Sequence, residues 1–242
     1  MHNPLEQFII RSLVDLNLFG YDISFTNSSL WIMIATFTLS AFMIYLSYTL
    51  RVIPTKPQVL IEVTYNVIYK MIEDNIGKDG RRFFPLIFTV FLLVLSCNIL
   101  GLLPFSYTVT SQFYFTLSLA VALFIFFNTY GFLIHGVRFF SIFLPTGTPL
   151  WLSPFMVLIE MILYLVKPLS LALRLAANMT AGHILLKVLA SLAISVTLIF
   201  KVLPMALIIG LIGFEFCVAI LQSYIFAILV CVFINDIVNL NH

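Results

Sequence analysis

The chain has 242 residues, of which 62% are hydrophobic and 9% charged, and its mean hydropathy is +1.13. Soluble domains carry roughly 25% charged residues, so a soluble globular protein is excluded, and a net charge of +2 is too small to argue for nucleic acid. Cys97, Cys217 and Cys231 lie in apolar runs without paired spacing, so they read as packed core thiols, and neither a disulfide framework nor a metal site is expected.

The opening segment, about 25 residues, has no basic stretch followed by an apolar one. It is not Arg- and Ser-rich either, so insertion is expected from the compartment where the chain is made. A first apolar segment runs from about Leu30 to Ile53 and ends in the basic, proline-punctuated turn Arg51-Val-Ile-Pro-Thr-Lys-Pro57. About 22 apolar residues span a bilayer with some tilt. From Gln58 to Ile76, Glu62, Asn66, Lys70 and Glu73 form one polar stripe at helical spacing, with Val59, Val63, Val67, Met71 and Ile72 on apolar faces. This pattern predicts an amphipathic helix on the membrane surface, the alternative being a soluble helix in an extramembrane loop. After the polar link Gly77 to Arg82, Phe84 to Leu103 is a second long apolar segment and Phe113 to Ile134 a third. Leu144-Pro-Thr-Gly-Thr-Pro149 reads as a break.

Beyond Trp151 two long helices are expected, one from about Ser153 to Ala193, the other from about Val196 to Val238. Pro204 predicts a bend in the second, and Pro168 a kink in the first. At ~1.5 Å per residue each is about 60 Å long, twice a hydrocarbon core of ~30 Å. Each is therefore two spans or one steeply tilted helix. The lack of a turn cluster across 169–200 favours tilt. The fold class is thus an all-α membrane protein, a single integral-membrane unit. Residues 1–82 form an N-terminal span plus surface helix, 83–143 a membrane hairpin, and 144–242 the long helix pair.

Only eight charged side chains follow residue 82: Arg138, Glu160, Lys167, Arg174, Lys187, Lys201, Glu215 and Asp236. In lipid such groups are costly and seldom incidental. Glu160, Lys167 and Arg174 are spaced by seven, within ~20° of one another per step around a helix, and Asn178 joins that face. Glu215, Gln222 and Asp236 share a face of the last helix. Antiparallel packing, with Arg174 opposite Gln222, brings Glu160 opposite Asp236 and Ala181 opposite Glu215, with His183 nearby. Three polar levels result: an acidic one, a central one of an interior-facing Arg174 with Asn178 and Gln222, and a His183–Glu215 one. His183, about 180° and ~13.5 Å from Arg174 on an ideal helix, fits a separate chamber.

Carboxylates and imidazole exchange protons near neutral pH when their surroundings tune them, whereas arginine keeps its proton. The pattern suits two proton inlets divided by a fixed positive barrier. The structural alternatives are an Arg174 that braces Glu215 or Glu160, and Asn178 and Gln222 as interhelical glue. Lys187 and Lys201 read as snorkelling to the headgroups. Lys167 either does the same or pairs with Glu160. His135 and Arg138 read as interface residues.

These residues resemble subunit a of F-type ATP synthases, in its mitochondrial form. Pro168-Leu-Ser-Leu-Ala-Leu-Arg174-Leu-Ala-Ala-Asn178-Met-Thr-Ala-Gly-His183 is similar to the family's signature around its essential arginine. Glu160, Leu144-Pro-Thr-Gly-Thr-Pro149, Asn98-Ile-Leu-Gly-Leu-Leu-Pro104, Glu215-Phe-Cys-Val-Ala-Ile-Leu-Gln222 and Asn235-Asp-Ile-Val-Asn239 match as well. The likeness covers nearly the whole chain and is most specific from residue 144 onward. Many bacterial relatives carry glutamate at the position of His183 and histidine at that of Glu215; the exchange here is the mitochondrial arrangement.

The resemblance implies that the two long helices lie strongly tilted and antiparallel against the c-ring, with Arg174 meeting each c-subunit carboxylate. It places His183 and Glu215 in the half-channel from the intermembrane space, and Glu160 and Asp236 in the half-channel to the matrix. It implies a non-catalytic stator subunit with no cofactor, partnered by the c-ring, peripheral stalk subunit b, other Fo subunits and lipid, in the mitochondrial inner membrane. A secondary transporter or a respiratory-complex membrane subunit would share the intramembrane charges, yet the internal repeat that transporters often show is not visible. An intramembrane enzyme lacks its usual His-Glu-x-x-His or Gly-x-Ser-x-Gly signal, and a scaffold leaves the aligned charges unexplained.

Overall fold

The computed structural model describes residues 10, 12–15, 17–18, 21–22, 24–103, 106–143, 151–195 and 201–238. Two small antiparallel ribbons open it: β1 (Ser12–Val14) pairs with β4 (Phe25–Thr26), and β2 (Asn17–Leu18) with β3 (Tyr21–Asp22). The all-helical reading missed them, because strands of two or three residues give periodicity nothing to detect. Among the described residues six α-helices follow, five of them long and apolar enough to cross a membrane.

Thr26 caps α1 (Asn27–Tyr48), its hydroxyl accepting the Ser29 amide at 3.4 Å. The helix stops short of Ile53, the residue that Pro54 steers away from helical geometry. Met33, Phe37 and Tyr45 stand exposed on it, as an apolar solvent permits. In α2 (Lys56–Asn75), Pro57 sits in the first turn, where no amide is needed. Ile68, Met71 and Ile72 are buried, while Val59, Val63 and Val67 form a bare apolar stripe beside exposed Glu62, Asn66 and Lys70. That division suits a helix at a membrane surface. Gly77, at φ 84°, ends it by donating its amide to the Glu73 carbonyl at 3.1 Å.

Next come α3 (Phe84–Gly101), α4 (Phe113–His135), α5 (Ser153–Ser195, 43 residues) and α6 (Val202–Val238, 37 residues). At ~1.5 Å per residue the last two are about 64 and 56 Å long. Pro168 lies inside α5, which continues past it. Pro204 is the third residue of α6, a first-turn position where no amide is needed. The expected break at Leu144-Pro-Thr-Gly-Thr-Pro149 and the expected helix start at Val196 lie outside the described residues.

The chain forms two compact units. The first comprises Met1–Thr49, Leu92–Phe115 and Leu175–Tyr224, and the second Leu50–Phe91, Thr116–Arg174 and Ile225–His242. In the second, the Tyr164 ring lies 5.1 Å from that of Phe124, 5.5 Å from Phe143 and 5.7 Å from Phe233. Its hydroxyl donates to Asn128 Oδ1 at 3.1 Å. His135 donates from Nε2 to the Ile237 carbonyl at 2.9 Å and so satisfies one of the orphan acceptors that end α6. In the first unit, fully buried Asn98 donates to the Ala219 carbonyl at 3.2 Å and to Ser223 Oγ at 3.3 Å, tying α3 to α6. Cys97 and Cys231 are buried as expected, but Cys217 is exposed.

Candidate functional site

Within the first unit α6 presents Glu215 to α5 at Gly182. The close approach depends on glycine: a Cβ at residue 182 would collide with Glu215 Oε1 and lie 2.9 Å from its Cδ. The expected level of Ala181 with Glu215 is therefore found one residue along. Glu215 is 7% exposed, and both its carboxylate oxygens are buried without a hydrogen-bond partner.

His183, the next residue on α5, does not pair directly with Glu215. Its Nε2 is 3.1 Å from Thr108 Oγ1, on the segment between α3 and α4, where Thr108 precedes a single 3-10 turn at Val109–Ser111. One turn earlier on α5, Thr180 donates to the Ser111 carbonyl at 3.4 Å. Tyr107 through Ser111 are all buried. Polar loops ordinarily run over the surface, and at membrane depth non-helical backbone is tolerated only inside protein or along a wet cavity. Sequence reasoning passed over this segment. Its signal was the run Ser106-Tyr-Thr-Val-Thr-Ser-Gln112, too rich in hydroxyls to be an ordinary short turn between two spans.

Buried polar atoms are nearly always hydrogen-bonded. Among the described residues the buried side-chain atoms that lack a partner are Asn98 Oδ1, Thr110 Oγ1, Gln222 Nε2 and the two Glu215 oxygens. All five belong to the first unit. Gln222 is only 3% exposed, whereas Asn178, expected on its level, is exposed, so the structure does not join those two amides.

Arg174 departs from expectation. It is exposed on the surface of the chain, and no hydrogen bond or ion pair ties its guanidinium to any described residue. Within this chain the side chain therefore faces outward, where the sequence reading expected it to face the interior. The cause is local. Leu171, Ala172, Leu175 and Ala176 take the buried side of α5, which turns Leu173, Arg174, Ala177, Asn178 and Ala181 outward.

In the second unit Asp236 pairs with Lys167, Oδ2 to Nζ at 3.5 Å, in place of the expected level with Glu160. The Lys167 ammonium also sits 5.6 Å from the centre of the Tyr164 ring, which fixes it on both sides. Glu160, two turns back along α5, is half-buried and makes no ion pair with a described residue.

A family model described as ATP synthase A chain matches residues 29–235. The chain belongs to that family. It is a multi-pass membrane protein, and it serves as the proton-translocating subunit of the Fo sector, in association with the c-ring and other Fo subunits.

Proposed function

For this ATP synthase subunit, we propose that Arg174 is the barrier facing the c-ring, and that His183 and Glu215 line one proton half-channel while Glu160 and Asp236 line another. The observation that carries the reading is the Glu215 carboxylate, buried with both oxygens unpartnered against Gly182, the residue before His183 on α5. A carboxyl group held so gains no structural hydrogen bond; its chemistry is to take up a proton and give it up. The other unpartnered polar atoms of the first unit, on Asn98, Thr110 and Gln222, supply the walls of a hydrated inlet.

Arg174 has the complementary setting. An arginine bared to hydrocarbon costs about 3 kcal/mol or more. Arg174 is exposed on α5 beside the exposed Leu173. The c-ring, with a carboxylate at mid-membrane, covers that face and offsets the charge. Small neighbours, Ala177 and Ala181, let a passing helix come close. The guanidinium stays protonated, so it attracts each ionised c carboxylate and opposes a direct hop of protons between the half-channels. The lengths of α5 and α6 fit a steeply tilted, antiparallel pair along the ring.

Protons enter beside His183 and Glu215, ride the ring, and leave past Glu160 and the Lys167–Asp236 pair. The subunit makes no ATP itself. Its other partners are peripheral stalk subunit b and membrane lipid. The exchanged His183 and Glu215 favour the mitochondrial inner membrane as its location. Arg174→Ala is expected to abolish proton-coupled synthesis in sealed vesicles while the complex still assembles. Coupled synthesis at the parent rate in that variant overturns the reading.

A further inference from the structure

We infer that Thr108, on the buried segment between α3 and α4, is the positioning residue of His183: its hydroxyl holds Nε2 in the protonated tautomer and leaves Nδ1 to exchange the translocated proton. The inference rests on the inlet reading of His183 and Glu215.

Four observations converge. Thr108 Oγ1 is 3.1 Å from His183 Nε2 and 3.4 Å from the carbonyl of Gly101, the last residue of α3. Thr108 is 4% exposed, so its hydroxyl has little recourse to solvent. Gly101 provides the room, since a Cβ there would lie 2.8 Å from Thr108 Cγ2. The segment is held to α5 twice, one turn apart, by Thr180 on the Ser111 carbonyl and by His183 on Thr108.

The direction of the bonds follows from the inventory of protons. A helix-terminal carbonyl only accepts, and the single proton of Ser106 has a shorter partner in the Leu103 carbonyl, 2.7 Å against 3.1 Å to Gly101, which leaves the Gly101 carbonyl to Thr108. A threonine hydroxyl has one proton. Given to Gly101, it leaves Oγ1 as an acceptor, and the hydrogen on His183 Nε2 fills that role. The arrangement is unchanged between the neutral Nε2–H ring and the imidazolium, so uptake of a proton at Nδ1 and its release need no reorganisation at Nε2. The ring is thereby aimed with one nitrogen anchored to the loop and the other free to work, as a second partner does for a functional imidazole elsewhere. The charged groups around it are Lys187, one turn on along α5, and Glu215, delivered by α6 against Gly182. No charged side chain lies on the loop segment 106–112 itself.

The test uses the assembled complex in sealed vesicles, with ATP-driven proton uptake as the readout and complex content measured alongside. Thr108→Val keeps the shape and deletes the hydroxyl; it is expected to slow uptake about fivefold, the worth of one lost hydrogen bond. Thr108→Ser restores the hydroxyl and is expected to stay within about twofold of the parent. Should the valine variant fail to assemble, Thr108→Ala carries the same expectation without added bulk. In a His183→Ala background, Thr108→Val is expected to add nothing, because coupled sites are non-additive. A valine variant as fast as the parent, a serine variant as slow as valine, or a further loss on top of His183→Ala each overturns the inference. His183→Ala with unchanged uptake brings down the inlet reading itself, whereas slowed His183→Ala beside normal Thr108→Val removes only the role of the hydroxyl.

Discussion

Replacing Gly182 by alanine tests the inlet with a single methyl group. Helix propensity alone favours the change by about 1 kcal/mol, so a purely structural account expects a neutral or stabilised α5. The packing says otherwise. The new Cβ would collide with Glu215 Oε1 and sit 2.9 Å from Cδ and 3.1 Å from Cγ, against an ordinary carbon contact of about 3.5–4.0 Å. The carboxylate must retreat by roughly 0.5–1 Å, through a strained rotamer or a local spreading of the two helices, at a cost of about 1–3 kcal/mol. A misplacement of that size lowers a rate that depends on geometry by up to about a hundredfold. We expect ATP-driven proton uptake to fall by about ten- to a hundredfold while the amount of assembled complex changes little. Glu215→Asp, shorter by one methylene, withdraws the carboxylate from the new methyl, so it is expected to recover part of the loss in the Gly182→Ala background although it is harmful alone. Normal uptake in Gly182→Ala, or a double variant no better than Gly182→Ala alone, refutes the reasoning.

Asn98→Leu removes the donor to Ala219 and Ser223; interhelical bonds of this kind are worth about 0.6–1.7 kcal/mol in membranes, and the loss should appear as a lower unfolding midpoint in detergent. Asp236→Leu leaves Lys167 without its carboxylate and is expected to destabilise the complex by about 1–2 kcal/mol at this partial exposure. Lys167→Met added to it should regain most of that loss, and a double variant as unstable as the single one contradicts the pairing. Tyr164→Phe deletes the hydroxyl bonded to Asn128 while keeping the ring among Phe124, Phe143 and Phe233, so it should cost about 1 kcal/mol of stability.

The helices were legible where apolar length decides the matter. The run from Ser153 was read almost to its last residue, because a continuous helix best accommodates a long, mostly apolar stretch with no turn cluster. Proline lies near two helix ends: Pro54 follows α1, which already ends at Tyr48, and Pro204 sits in the first turn of α6. Periodicity put Glu160, Lys167 and Arg174 on one face but could not say whether that face turns inward, since leucine and alanine line both sides of α5 and the apolar pattern carries no direction. The exposure of Arg174 is decided by which alanines and leucines find partners. The same ambiguity hid the Lys167–Asp236 pair: a level argument places Cα atoms opposite one another, whereas a lysine reaches along the helix by the length of four methylenes. Thr108 was hidden for another reason, because a loop reads as solvated and this one is buried.

Burial sorts the ionisable side chains into two kinds of work. Glu215 is enclosed, so its oxygens are out of reach of headgroups and of any partner that slides past; only something as small as a proton or a water molecule can attend to it. Arg174 is bare, so a partner as large as a helix can meet it, and its permanent charge makes an apolar surface without a carboxylate a poor match. Exchanging the two settings would defeat both, since a buried guanidinium cannot be discharged and an exposed carboxylate at that face would repel an ionised partner. On the proposed reading a barrier belongs where the moving surface passes and a proton acceptor where it does not; the outward placement of Leu173, Arg174, Ala177 and Asn178 on α5 suits the first role, and the close approach of Glu215 to Gly182 suits the second.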